Sequence, residues 1–461
     1  MKKLILLVLF LGCSMSSFSQ NLGYTDLSLL FSEDANTGTA RFNAMSGAFG
    51  ALGGDISAVK TNPAGASIFS NSVFSASAAS RNTALTARYY GNESSTNEEY
   101  VNFSQAGAIF VYKTNANSDW TKFTFGFNYA LQNDYNAHFN AVGNSGLATF
   151  IEFPLDAGNT PTQYTNSETQ SFSNTTNGEL AAYNFTIAGV YQNDLHLGAS
   201  VNTYDLRFSQ RSTLREQNND GDGNILNAKF YQENVTTGTG FSFNFGAIYK
   251  ATRSLRFGFS YQSSIWFTEI LEETNMLNND GFLGDTEIRV TGDSTIYDNT
   301  IGNNFPVQGF SYKLKTPSKT TTSIAYIFGN NGLVSLDYSL HGYKKMMLSN
   351  GDFDEENQFF NTSLRNSYSL KIGSEWRFKA LSLRGGYQYR QSPDTNAMAS
   401  DNIKGYSLGA GYRFGNTKFD ISYQNKSNTA QYDFYPQYNE VDATELNINN
   451  SLVTATLTFN L

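Results

Sequence analysis

The chain has 461 residues and a formal net charge of −9, with 15% charged and 15% aromatic residues, 39 glycines and 7 prolines. The acidic balance argues against nucleic acid as a partner. A mean hydropathy of −0.39, with no apolar run past the N-terminus near the roughly 18 residues a membrane helix needs, excludes a helical membrane protein. The 28 tyrosines and 37 phenylalanines are instead scattered singly, as when lipid-facing residues are spread along the strands of a barrel.

Lys2 and Lys3, the apolar run Leu4–Leu11 and a small-residue region ending Ser17-Phe18-Ser19 predict an export signal over residues 1–19, cleaved before Gln20. The single cysteine, Cys13, lies inside it. A lipoprotein signal would use that cysteine, but Phe10 and Leu11 approach it poorly. The mature chain then has neither disulfides nor thiolate chemistry. Residues 20–69 lack period-two alternation and carry many small residues, then Asn62-Pro63-Ala64-Gly65. Pro63 fixes φ and Gly65 loosens the backbone after it, so the chain can turn sharply. The expectation is a small, partly helical N-terminal plug folded inside a barrel too narrow to be an open pore.

From about residue 70 the chain alternates. Phe123, Phe125, Phe127 and Tyr129 share one face of a strand, opposite Lys122, Thr124, Gly126 and Asn128. Phe241–Tyr249, Leu255–Tyr261 and Tyr406–Phe414 repeat the pattern, and Trp120, Tyr191 and Trp376 fall near strand ends, where an interfacial girdle belongs. Six short links, near Thr114–Ser118, Asn193–Asp194, Ala251–Arg253, Gly329–Gly332, Lys379–Ala380 and Gly415–Asn416, join six hairpins. Reading 308–328 as one strand with a bulge at Pro317 gives an even strand number, as single-chain bacterial barrels require. The fold class is therefore all-β: a 14-stranded antiparallel transmembrane barrel over residues 70–461. Its last strand, Ser451–Leu461, alternates to the terminus and closes against the first. Polar stretches at 81–100, 132–181, 210–238, 265–307, 344–365, 391–403 and 425–449 are expected to be seven long extracellular loops, with both termini periplasmic.

Asn218, Asp220, Asp222 and Asn224 place oxygen-bearing side chains at alternate positions around a glycine, a candidate structural calcium loop. Its twelfth position is Lys229 rather than a glutamate, so an ordinary solvated loop is the competing reading. His138, His196 and His341 show no paired spacing, and no nucleophile elbow, phosphate loop or metal-protease motif occurs. No cofactor and no enzymatic activity are expected.

The run Ala40–Ala64, above all Asp55…Ala58…Asn62-Pro63-Ala64-Gly65, resembles the FadL family of outer-membrane transporters for hydrophobic compounds. So does Leu314-Lys315-Thr316-Pro317 leading into Thr322–Phe328, a short turn and Leu333–Tyr338. The resemblance implies an N-terminal hatch in the lumen and a lateral opening made by a kink in the third strand, here about Asp119–Leu131, with Gly126 one candidate site. It implies passive uptake of hydrophobic small molecules, long-chain fatty acids or aromatic hydrocarbons, across a bacterial outer membrane, with lipid and ligand as partners. The alternative is a barrel serving as an accessory subunit of an outer-membrane assembly or secretion complex, with other outer-membrane proteins as partners. The polar residues expected to face inward are Lys122, Arg256, Asp337, His341, Lys371, Glu375, Arg384, Arg390, Arg413 and Asp420. One reading makes them cross-strand ion pairs. In the other, one or two cations among Lys122, Arg256, Lys371, Arg384 and Arg413 hold a ligand carboxylate while its tail lies against Phe42, Met45, Phe49, Leu52 and Ile56 of the plug.

Overall fold

A computed structural model describes residues 21–35, 37–114, 118–153, 162–278, 287–290, 296–298, 308–436 and 438–461. The export signal with Cys13, and parts of the polar stretches 132–181 and 265–307, lie outside the described residues. The wall is a single closed antiparallel sheet of fourteen strands. In chain order they are β1 Val73–Tyr89, β2 Asn92–Lys113, β3 Trp120–Asp134 continued by Ala137–Gly143, β4 Asn166–Tyr191, β5 Leu195–Asn219 and β6 Ile225–Lys250. Three broken strands follow: β7 is Leu255–Gln262 with Trp266–Asn278, β8 is Gln308–Lys315 with Lys319–Phe328, and β9 is Gly332–His341 with Met347–Ser349. The last five are β10 Ser367–Phe378, β11 Leu381–Arg390, β12 Ile403–Phe414, β13 Thr417–Tyr432 and β14 Thr444–Asn460. Closure runs from Val73↔Asn460 to Arg88↔Glu445, joining β1 to β14. All six short links fall where alternation placed them, and Pro317 sits in the break of β8. Because β7 breaks at 263–265 and β9 at 342–346 beside it, the irregularity spans three neighbouring strands.

Most of the polar stretches are not loops for most of their length, although 391–403 is one. Residues 81–100 and 210–238 are the continuous hairpins β1–β2 and β5–β6, paired up to Tyr89↔Asn92 and Asn219↔Ile225. Much of 425–449 extends β13 and β14. Residues 344–365 contain a helix, Asp354–Thr362. The cause is an inversion of polarity along the strands. Near the short links, Leu197, Val201 and Phe245 point outward and are exposed, while Ser200, Asn202 and Asn244 point inward. Farther along β5, Leu206, Phe208 and Leu214 are buried inside, and Arg207, Arg211 and Arg215 alternate with them outside. A 25-residue strand spans about 80 Å at roughly 3.3 Å per residue, well beyond what a bilayer core of about 30 Å requires even at barrel tilt. Beyond the apolar belt the sheet is dry inside and charged outside.

Residues 21–69 run inside this wall as α1 (Tyr24–Phe31), α2 (Ala40–Ala44) and two 3₁₀ turns, Ile56–Lys60 and Pro63–Ile68. At several points plug atoms press so close to the wall that only glycine leaves room. A Cβ on Gly246 would lie 2.0 Å from Asn62 Oδ1, and one on Gly258 2.3 Å from the Gly50 carbonyl. Gly246→Val should therefore unseat the Asn62 turn at about 1–3 kcal/mol, the usual size of an overpacking penalty. Amide hydrogen exchange at residues 62–66 is expected to speed up by about tenfold or more, with the barrel's exchange unchanged.

Candidate functional site

The Asn62-Pro63-Ala64-Gly65 turn is an anchor. Asn62 caps the following 3₁₀ turn, its Oδ1 accepting from Ala64 N at 3.1 Å. Its Nδ2 donates to the carbonyls of Gly50, Ala247 and Phe259 at 2.7, 3.0 and 3.3 Å. Pro63 opens the turn, and Gly65 accepts from Gly54 N at 3.1 Å. Lys122 and Arg256, two of the expected ligand cations, donate instead to plug carbonyls, Phe69 O at 2.6 Å and Leu52 O at 3.1 Å.

A grid of charge fixes the opposite side of the plug. Glu375 on β10, its side chain 2% exposed, accepts from Arg41 of α2 at 2.7 Å, from the fully buried Arg384 of β11 at 2.7 Å and from Arg377 at 2.6 Å. Arg384 also reaches Asp420 on β13 at 2.7 Å, and Lys418 meets Asp420 at 3.2 Å. The ion-pair reading holds for Arg384, Glu375 and Asp420. Arg413 is exposed beside the Gly415–Asn416 link. The plug apolars pack between plug and wall: Phe42, Met45, Phe49 and Leu52 with Ala325 and Leu333, and Ile56 with Val59, Val73 and Ile109.

A cavity of about 430 Å³ opens beside α1, and none of those five apolar plug residues lines it. It exists because α1 is two-faced. Leu27 and Phe31 pack into the dry side of the lumen, Phe31 against Tyr135 and Phe208 with ring centroids 5.9 and 5.4 Å apart. Leu22, Asp26, Leu29, Leu30 and Glu33 face the other way and line the cavity. The facing wall is graded. On β1, Arg81 lies nearer the short links than Leu85; on β3, Asn133 nearer than Phe139; on β13, Lys426 nearer than Tyr432. On β14 the order runs from Leu446 and Ile448 down to Asn450. One end is therefore mainly apolar and the other carries Arg81, Lys371, Arg390 and Lys426 together with Glu33, Asp34 and Asp134.

The charged end grips the plug. The Asp34 carboxylate accepts from Lys319 Nζ at 2.7 Å, and its backbone carbonyl accepts from Arg390 at 3.0 Å. Lys426 donates to the Ala35 carbonyl and Lys60 to that of Thr37. Burial alone would raise the Asp34 carboxyl, but Lys319, Lys60 and Lys371 outweigh it and hold it well below the usual carboxylate range. Burial pulls the Lys60 ammonium down to about 8, with Asp34 opposing. Beyond Asp34 lies a smaller lobe of about 60 Å³ lined by Asn128, Asn184, Asn202, Asn244 and Gln262; Asp34 and His341 border both spaces.

Of the five expected ligand cations, only Lys371 lines the cavity. Arg81 and Lys426 escaped sequence reading because they fall in stretches taken for loops, although both sit at inward positions of an alternation that continues through those stretches. Asp34, Lys60 and Lys319 gave no pattern at all.

The four candidate calcium ligands are not gathered. Asn218 turns inward to Phe150 O and Glu216, whereas Asp220 accepts from Asp222 N, Asn224 N and Asn224 Nδ2 in its own turn. Among the described residues no group of three or more acidic, histidine or cysteine side chains is placed to hold a metal.

β2 and β3 pair only from Lys113↔Lys122 to Gln105↔Ala130, although β1–β2 and β3–β4 pairing continue beyond. The pairing ends at a bulge: Ser77 faces Gln105 and Ala78 faces Phe103, leaving Ser104 extra. Gly126 sits in an unbroken ladder, facing Ile109 and Thr186. The irregularities in β3 lie at Thr121, at Gln132 and at the break before Ala137 instead. Across this seam Asp134, a cavity residue, accepts from Asn102 at 2.9 Å and lies 3.8 Å from Arg81.

A closed barrel stopped by its own N-terminal segment, with an amphipathic cavity beside the stopper, has the build of a plugged outer-membrane channel. The chain belongs to the outer membrane protein transport protein family (OMPP1/FadL/TodX), whose sequence model matches residues 29–431. It is an outer-membrane barrel of a family that transports hydrophobic compounds. Its structure is similar to that of a FadL homologue of Pseudomonas aeruginosa, with a TM-score of 0.60 at 15% identity over 93% of this chain and 99% of that one. The toluene transporter TodX of P. putida gives 0.54 at 14% identity, and the CymD monoaromatic hydrocarbon channel 0.56 at 12%, each over 93% of this chain and 99% of the other. At these identities the likeness is one of fold. No curated protein matches the chain.

Glu375→Gln would leave Arg41, Arg377 and Arg384 without their shared anion. Removing one partner of a buried charge set costs about 3–5 kcal/mol, so denaturant unfolding in detergent should show a loss of that order. Arg377→Gln, at the half-exposed edge of the grid, should cost no more than about 1 kcal/mol.

Proposed function

We propose that this chain takes up hydrophobic molecules carrying an anionic head, of the long-chain carboxylate class, and releases them sideways into the membrane through the β2–β3 seam. The observation that carries the reading is the grading of the cavity: Leu29, Leu30, Leu85, Phe139, Leu446 and Ile448 at one end, and Arg81, Lys371, Arg390 and Lys426 at the other. Each methylene withdrawn from water contributes about 0.8 kcal/mol, so the apolar end supplies affinity and the cations set orientation. A neutral aromatic hydrocarbon would use only the first. The long hairpins are assigned to the outside and the short links to the periplasm, so a ligand enters past α1 with its tail toward the exterior.

The exit is assigned to the seam because the ladder stops there while the cavity touches it at Asp134. Side chains close the gap: Asn102 to Asp134, Thr96 to the His138 carbonyl, and Phe103 stacked on Tyr129 at 6.0 Å. Side-chain contacts can part without breaking the backbone ladder that a barrel wall otherwise requires in lipid.

Uptake of labelled decanoate by cells with and without the gene tests the transport reading, and equal uptake would sink it. Lys371→Met is expected to weaken carboxylate uptake about tenfold, the worth of a lost charge-assisted contact, while leaving decanol entry unaffected. For the exit, Asn102→Cys/Asp134→Cys introduces the only thiols of the mature chain. Bridging them with a short bis-alkylating reagent should stop uptake, with each single cysteine variant remaining active after the same treatment. Undiminished uptake in the bridged protein would place the exit elsewhere.

A further inference from the structure

The carboxylate held most tightly at the charged end of the cavity belongs to the protein. Asp34 lies on the plug segment between α1 and α2, ion-paired at 2.7 Å to Lys319 of β8, and separates the 430 Å³ cavity from the amide-lined lobe. The backbone around it is held by the cations that would meet a ligand head, Arg390 on the Asp34 carbonyl and Lys426 on that of Ala35. We infer that the Asp34 carboxylate is an internal stand-in for the ligand head group. The incoming anion takes over its place on Lys319, and the displaced Asp34 frees the plug segment that closes the lower lobe. This inference rests on the ligand being anionic, as proposed for the transport function.

The energetics favour exchange over simple insertion. Replacing one carboxylate by another leaves Lys319 ion-paired in both states, so the swap itself is nearly neutral, and burial of the tail biases it. A neutral molecule pushing Asp34 aside would strand a half-buried ammonium, leaving one side of a broken ion pair uncompensated. Selectivity against neutral hydrocarbons then comes from the plug as well as from the cavity wall, as a penalty built against the wrong occupant. The amide side chains of the lower lobe suit a head group that has given up its first cation and still needs hydrogen-bond donors.

The test uses the full-length protein in detergent, with decanoate and decanol as probes, calorimetry for binding and hydrogen exchange at Glu33–Ala35 and Thr37 for plug release. Decanoate should bind and speed exchange there several-fold, and decanol should not speed it. Asp34→Asn should show fast exchange without ligand and bind decanoate about threefold to tenfold more tightly, because the ordering cost of the internal competitor is gone. Asp134→Asn removes a cavity charge that is not on the plug, and should leave exchange at Glu33–Ala35 slow. Lys319→Gln should release the segment yet weaken decanoate binding, a split that general loosening of the plug would not give. Decanoate binding with unchanged exchange overturns the displacement and leaves the anionic-ligand reading standing, as does equal release by decanol. Absence of decanoate binding overturns both.

Discussion

A fourteen-strand barrel encloses more volume than its inward side chains can fill, and how that space is closed governs the rest of this molecule. The N-terminal segment fills it, and to do so its backbone must approach the wall backbone where a side chain would ordinarily stand. Gly198, against the Pro63–Ala64 backbone, and Gly258, against Gly50, supply the room. The polar atoms brought in with the plug need partners away from water, which the wall provides through Asp337 to Gly50 N, Thr456 to Ala40 N and Thr454 to Asn43. Plug and wall are therefore complementary polar surfaces more than an apolar core.

The charges arise from the same constraint. A cation buried with its anion is stable only when the geometry is good, and the Arg41–Glu375–Arg384–Asp420 grid pairs each charge with an opposite one at 2.7 Å. The region around Asp34 is balanced differently. Six cations, Lys60, Arg81, Lys319, Lys371, Arg390 and Lys426, converge on it, and several are engaged with plug backbone carbonyls. The first arrangement holds the plug in place. The second holds it through the Asp34 carboxylate, paired with Lys319 and surrounded by further cations.

The cavity owes its shape to α1 lying against one side of the lumen only. Its upper wall comes from strands that have left the apolar belt, where inward residues become apolar and outward ones charged. A cavity with a greasy end and a charged end thus arises where the membrane-spanning part of the barrel, polar within, meets the projecting part, dry within.

By itself the sequence determined the barrel, its strand number, the six short links, the closing strand and the N-terminal plug. Each depends on a local rule, the period-two alternation or the loss of it, that survives whatever the tertiary arrangement. It misread most of the polar stretches as loops: in 210–238, for example, the flanking Arg207, Arg211 and Arg215 look solvated, and they are, while the alternate residues Leu206, Phe208 and Leu214 mark a strand. That error hid Arg81 and Lys426. Which cations face a cavity and which pin the plug was decided only by the tertiary structure. Lys122, Arg256 and Lys371 share an inward parity, and only their height on the wall relative to the plug separates a plug anchor from a cavity-lining residue. Parity is local; height is set by the stagger of fourteen strands and by where α1 comes to rest.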